Sequence, residues 1–90
     1  MLFVAIGNVR AGTSRERMAR RVTWTYPPGM KVVGEYITLS CAPAVISIVE
    51  ADDAGPMMAA TSAWDDVIDW TVLPAITGEQ SVEMGKRMAQ

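Results

Sequence analysis

The chain has no histidine, one cysteine and one phenylalanine among its 90 residues. Without histidine there is no Ser-His-Asp or Cys-His pair, and no imidazole to act as a base near neutral pH. A lone cysteine, Cys41, excludes an internal disulfide, and without histidine it leaves a structural zinc site short of ligands. No apolar run approaches the roughly 20 residues of a membrane span. The apolar start Leu2 to Ile6 is too short, and it lacks the basic n-region of a signal peptide. These features predict a cytoplasmic protein with no membrane partner. A basic excess is missing too. The net charge of −2 argues against a general nucleic-acid binder.

What is present is globular: half the residues are apolar and a fifth are charged. Ninety residues make one domain without room for a second core. The charges are unevenly spread. Arg10, Arg15, Arg17, Arg20, Arg21 and Lys31 face only Glu16 in the first third. From Val32 to Ala75 there is no Lys or Arg, but Glu35, Glu50, Asp52, Asp53, Asp65, Asp66 and Asp69 are all acidic. One basic and one acidic solvated surface is the plain reading; an anion site or a self-complementary contact is the sharper one.

Leu2 to Val9 reads as a first strand. Thr13 and Glu16 form a capping-box pattern that predicts a helix, with Met18, Val22 and Tyr26 at four-residue spacing. Pro27-Pro28-Gly29 stops it. Lys31 to Leu39 alternates as a second strand, with Lys31, Val33, Glu35, Ile37 and Leu39 on one side. Val32, Gly34, Tyr36 and Thr38 take the other. Ser40 to Pro43 is short enough for a hairpin into a third strand. Asp52 or Asp53 offers an N-cap for a second helix, with Pro56 in its first turn and Met57, Thr61 and Trp64 at helical spacing. Asp66 to Pro74 returns to strand, and Thr77 with Gln80 caps a last helix carrying Val82, Met84 and Met88.

This order predicts an α+β, ferredoxin-like βαββαβ sandwich with a four-stranded antiparallel sheet: residues 1–76 form its core and 77–90 a helical tail. Its third strand places Ala44, Ile46 and Ile48 on one face and Val45, Ser47 and Val49 on the other. Both faces therefore ask for a cover. Two helices cover one, and a second copy of the chain covers the other in a homodimer. The alternative cover is the tail helix folded back.

The residues Met1-Leu2-Phe3, Pro28-Gly29, Glu50-Ala51-Asp52-Asp53, Trp64, Asp66 with Asp69, and Pro74 carry a resemblance. The chain resembles a small one-domain family of unknown function within the dimeric α/β-barrel superfamily. Muconolactone isomerase, antibiotic-biosynthesis monooxygenases and YCII-, GYD- and EthD-type proteins share that superfamily. The resemblance implies a ferredoxin-like protomer whose sheets pair face to face. It implies no reaction, because the superfamily holds enzymes and ligand binders alike.

The expected function is binding of a small apolar or aromatic molecule between helices and sheet, with no cofactor. Its candidate ligand-binding residues are Asn8, Tyr36, Met57 and Trp64. Met18, Met57, Met58, Trp24 and Trp64 suit an adaptable apolar pocket, though methionines and aromatics at helical spacing also serve as core. A rival reading is a cofactor-free monooxygenase or isomerase, in which Asn8, Tyr36 and Trp64 resemble in type the groups such enzymes use. A third is a structural or regulatory interaction module without a pocket. Asn8 equally ends a strand, and Glu50, Asp52 and Asp53 read as helix capping rather than cation ligands. Glu35 and Asp69 stand mid-strand among apolar neighbours, where a buried carboxylate gains acid–base use. A haem-ligating histidine and a phosphate-binding glycine loop are both missing, and nothing basic adjoins Cys41 to activate it.

Overall fold

The computed structural model describes residues 1–89. Seven elements follow in order: β1 Leu2–Val9, α1 Ser14–Val22, β2 Met30–Ile37, β3 Val45–Ala51, α2 Gly55–Ser62, β4 Ile68–Ala75 and α3 Gly78–Met88. The strands form one antiparallel sheet in the order β2-β3-β1-β4. This is the ferredoxin-like arrangement expected from the alternating pattern. Strand–helix–strand units interleave so that β1 and β3, made in different halves of the chain, become central neighbours.

One face of the sheet carries the core. Phe3 and Ala5 of β1 meet Val49 and Ala51 of β3 and Met57 of α2 in one buried cluster. Ala44, Val45, Trp64, Val67 and Ile68 form a second. Trp70 packs against both and joins them. Its ring lies so close to β1 that a Cβ on Gly7 would stand 3.0 Å from Trp70 Cζ3 and 2.8 Å from Ile68 Cγ2. Glycine at position 7 is what lets the indole settle over the strand.

The second strand departs from simple alternation. Val32 pairs with Val49 and Gly34 with Ile48, so Val33 is an extra residue in a β-bulge. Beyond it the faces exchange. Glu35 opposes Ser47 on the core face, whereas Tyr36 opposes Ile46 on the open face and is 61% exposed. The expected grouping of Lys31 and Val33 with Glu35 is thereby corrected: Met30 and Val32, not Lys31, share the core side with Glu35.

Two of the three helices start at their expected N-cap residues, whereas α1 ends before its expected stop. Thr13 is the N-cap of α1, but its hydroxyl donates to the Arg10 carbonyl at 2.7 Å and accepts from Arg17 Nε at 2.9 Å. No side-chain capping bond forms, so the expected capping box is absent, and α1 ends at Val22, short of Tyr26. Ala54, rather than Asp52 or Asp53, is the N-cap of α2. Asp53 instead accepts the Gly55 amide at 2.8 Å. The capping box of α3 is present, with reciprocal bonds between Thr77 and Gln80 of 2.8 and 3.0 Å.

The opposite face of the sheet is left open. Val4, Ile6, Ile46 and Ile48 are only half-buried there, and Leu73 is exposed. The tail helix does not fold back over it: α3 buries none of its residues. The Cα radius of gyration is 15.2 Å, against roughly 12 Å for a compact 90-residue domain. The long axis reaches 54 Å, the shape of a domain with a projecting element. Among the described residues no helix is long and apolar enough to cross a membrane.

Candidate functional site

Helix α1 covers its half of the sheet without packing onto it. None of its residues is buried, and its apolar pair, Met18 and Val22, is 71% and 82% exposed. The helix is held instead by charges. Arg20 grips Asp66 with two hydrogen bonds of 2.8 and 2.9 Å, reaches the Ala63 carbonyl at 2.9 Å, and pairs with Glu16 one turn earlier at 2.8 Å. This bidentate grip holds the Asp66 carboxyl below its usual value, and Asp66 with Glu16 pushes the Arg20 guanidinium further up. Arg21 forms an ion pair with Glu35 of β2.

Between this tethered helix and the sheet lies a cleft of about 530 Å³, within the usual range for small-molecule sites. Aromatic rings make much of its wall. Trp24, in the loop after α1, meets Trp64 edge to face at 5.6 Å and Tyr26 at 5.7 Å between ring centroids. The Arg20 guanidinium carbon lies 5.2 Å from the Trp64 ring centroid, a cation–π contact that closes the packing behind the ring. Trp70 and Met57 also line the cleft.

A few polar groups interrupt these walls. Glu35 and Ser47, facing each other across the β2–β3 ladder, both line the cleft, and Ser47 is buried. The Glu35 side chain is only 11% exposed, and its Oε1 is ion-paired with Arg21. The indole N–H of Trp70 is buried and has no acceptor. Such a donor left dry is costly unless something accepts from it. The cleft thus offers a negative acceptor and a hydroxyl amid aromatic surface.

The four candidate residues divide between the two faces. Met57 and Trp64 are buried and line the cleft. Tyr36 is on the open face because of the bulge at Val33, and Asn8 is exposed beside Asp69 on that same side. The sheet separates the two pairs, so the four do not form one pocket. Of the two mid-strand carboxylates, Glu35 enters the cleft, whereas Asp69 is exposed and ion-paired with Arg10 at 2.8 Å. Sequence reasoning noted Glu35 without placing it in the site, and it missed Ser47 and Trp70 as lining residues. The signal available for Trp70 was its alternation with Ile68 and Val72. Among the described residues, no three His, Cys, Asp or Glu side chains are grouped to hold a metal ion. Cys41 is exposed at the cleft rim.

No curated protein and no solved structure matches this chain. A family model described as a domain of unknown function (DUF3303) does match it, over residues 1–89, and the chain belongs to that family.

Proposed function

We propose that the protein binds a small, largely aromatic molecule in the cleft between α1 and the sheet, and does so as a homodimer. One observation carries the binding reading: aromatic walls surround Glu35 and Ser47 in a cleft of small-molecule size. A ligand with an aromatic body and a hydroxyl edge packs on the rings and supplies a donor to Glu35. The open apolar sheet face supports the pairing of two copies and, with the strand order, membership of the dimeric α/β-barrel superfamily. The exposed single cysteine fits a reducing, cytoplasmic setting.

All three tryptophans border the cleft, so intrinsic fluorescence reports its occupancy. Titration with 1-naphthol is expected to give a saturable change that weakens in Glu35→Gln. A linear, unsaturable response up to millimolar concentration overturns the reading. An enzymatic alternative draws on the same carboxylate: Glu35 is placed to exchange a proton with a bound hydroxyl. Turnover of an aromatic hydroxyl compound that is lost in Glu35→Gln even at saturating ligand distinguishes catalysis from binding.

A further inference from the structure

The last helix does not pack into the core of its own chain. It buries no residue, and Val82, Gly85 and Met88 fall with Ser81 in one arc of roughly 120° on its surface. Glu79, Glu83, Lys86 and Arg87 occupy the other side. Eleven residues are too few for a stable helix in water by propensity alone, so Val82 and Met88 call for a surface to lie on.

We infer that α3 is an arm exchanged between two copies, each lying against the body of the other; this rests on the pairing of open sheet faces proposed above. Three observations point to a second copy as the occupant. The first is apolar exposure. Exposed apolar residues occur on edge strand β4 (Leu73) and on the arm (Val82, Met88), with Ile76 in the link between them.

The second is area. Four strands of about eight residues project a face of roughly 500 Å² from strand spacing and rise. A standard stable interface takes roughly 800 Å² from each partner. An eleven-residue helix adds a strip of roughly 160 Å², which moves a marginal contact towards a stable one.

The third is charge. The sheet register puts Glu50, Leu2 and Ala75 in one cross-strand row, so α3 leaves the sheet at the end that carries Glu50, Asp52 and Asp53. Lys86 and Arg87 form no ion pair among the described residues, and neither do those three carboxylates. Within one chain they do not meet. A two-fold axis along the strands brings the acidic end of each copy to the arm of the other, and the contact is made twice.

The test uses the full chain. Dimer affinity is measured by sedimentation for the wild type, Leu73→Asp and Val82→Asp/Met88→Asp. An equal mixture of ¹⁴N- and ¹⁵N-labelled protein is also treated with a carbodiimide, which joins amines to carboxylates in direct contact. The arm predicts a wild-type dimer weakened about tenfold or more by Val82→Asp/Met88→Asp, with Lys86 cross-linked to carboxylates of the other isotope. Because α3 buries nothing in the single chain, those substitutions leave the body folded. A dimer weakened by Leu73→Asp but indifferent to Val82→Asp/Met88→Asp overturns the arm and keeps the pairing of sheets. A wild-type monomer at 100 µM overturns both.

Discussion

Arg21 of α1 and Glu35 of β2 form an ion pair across the cleft, and the carboxylate is far more buried than the guanidinium, 11% against 49% exposed. The asymmetry has an energetic consequence. Removing Glu35 releases a half-exposed arginine into water, whereas removing Arg21 strands a carboxylate among aromatic walls. Arg21→Ala is therefore expected to cost about 1–2 kcal/mol and Glu35→Ala less than half as much. Chemical denaturation of the two variants checks the order. Equal losses would mean that the carboxylate is as well solvated as its partner.

The second tie of α1 is the Arg20–Asp66 pair, and it makes part of the stability depend on pH. Arg20 lowers the Asp66 carboxyl below its usual value of about 3.9. A depressed native value stabilises the fold fully above the ordinary carboxylate range, and that contribution fades as pH falls through the native value. Melting temperature is expected to fall between pH 4 and pH 2 more steeply in the wild type than in Asp66→Asn. Added salt narrows the difference, since the pair is exposed. Parallel pH profiles for the two proteins would remove Asp66 from the account.

Gly7 predicts a loss from a gain of one methyl group. A Cβ at this position meets Ile68 Cγ2 at 2.8 Å and Trp70 Cζ3 at 3.0 Å, and both atoms belong to side chains fixed in or against the core. Overpacking of this kind costs about 1–3 kcal/mol. Gly7→Ala is expected to destabilise within that range, with a blue or red shift in tryptophan emission as the indole moves off β1. Gly78→Ala, where a Cβ meets nothing within 4 Å, is the matched control and is expected to leave the body unchanged.

Much of the fold is legible in the residues, and the exceptions have physical causes. Alternation in β1 and β3 and the Thr77–Gln80 box each give their element, because each acts locally; the Pro27-Pro28-Gly29 stop does not, since α1 ends at Val22. The bulge does not show, since Val32 and Val33 are adjacent β-branched residues and either fits the core face. Nor does the stand-off of α1: Met18 and Val22 make the same stripe whether a helix packs down or overhangs a cleft. Thr13 and Glu16 match a capping box, but the Arg10 carbonyl and Arg17 compete for the hydroxyl and win it. For the site, Trp64 and Met57 were readable as pocket or core, and the structure makes them both. The partnership of Glu35 with Ser47 required the register itself.

That register yields the sharpest test of where the ligand sits. Tyr36 and Glu35 are consecutive, and a regular strand in either phase still sends them to opposite faces; the bulge decides which one enters the cleft. With Val33 as the extra residue, Tyr36 lies beside Ile46 on the open face with Asn8, and Glu35 lies beside Ser47 under α1. Tyr36→Phe and Asn8→Ala are thus expected to leave the apparent Kd for 1-naphthol within about twofold of the wild type. Glu35→Gln and Ser47→Val, which alter the polar floor, are expected to weaken it about five- to tenfold, roughly one lost hydrogen bond each. If instead Tyr36→Phe carries the loss and Glu35→Gln does not, the binding surface is the open face of the sheet, and the cleft under α1 is only a gap beneath a tethered helix.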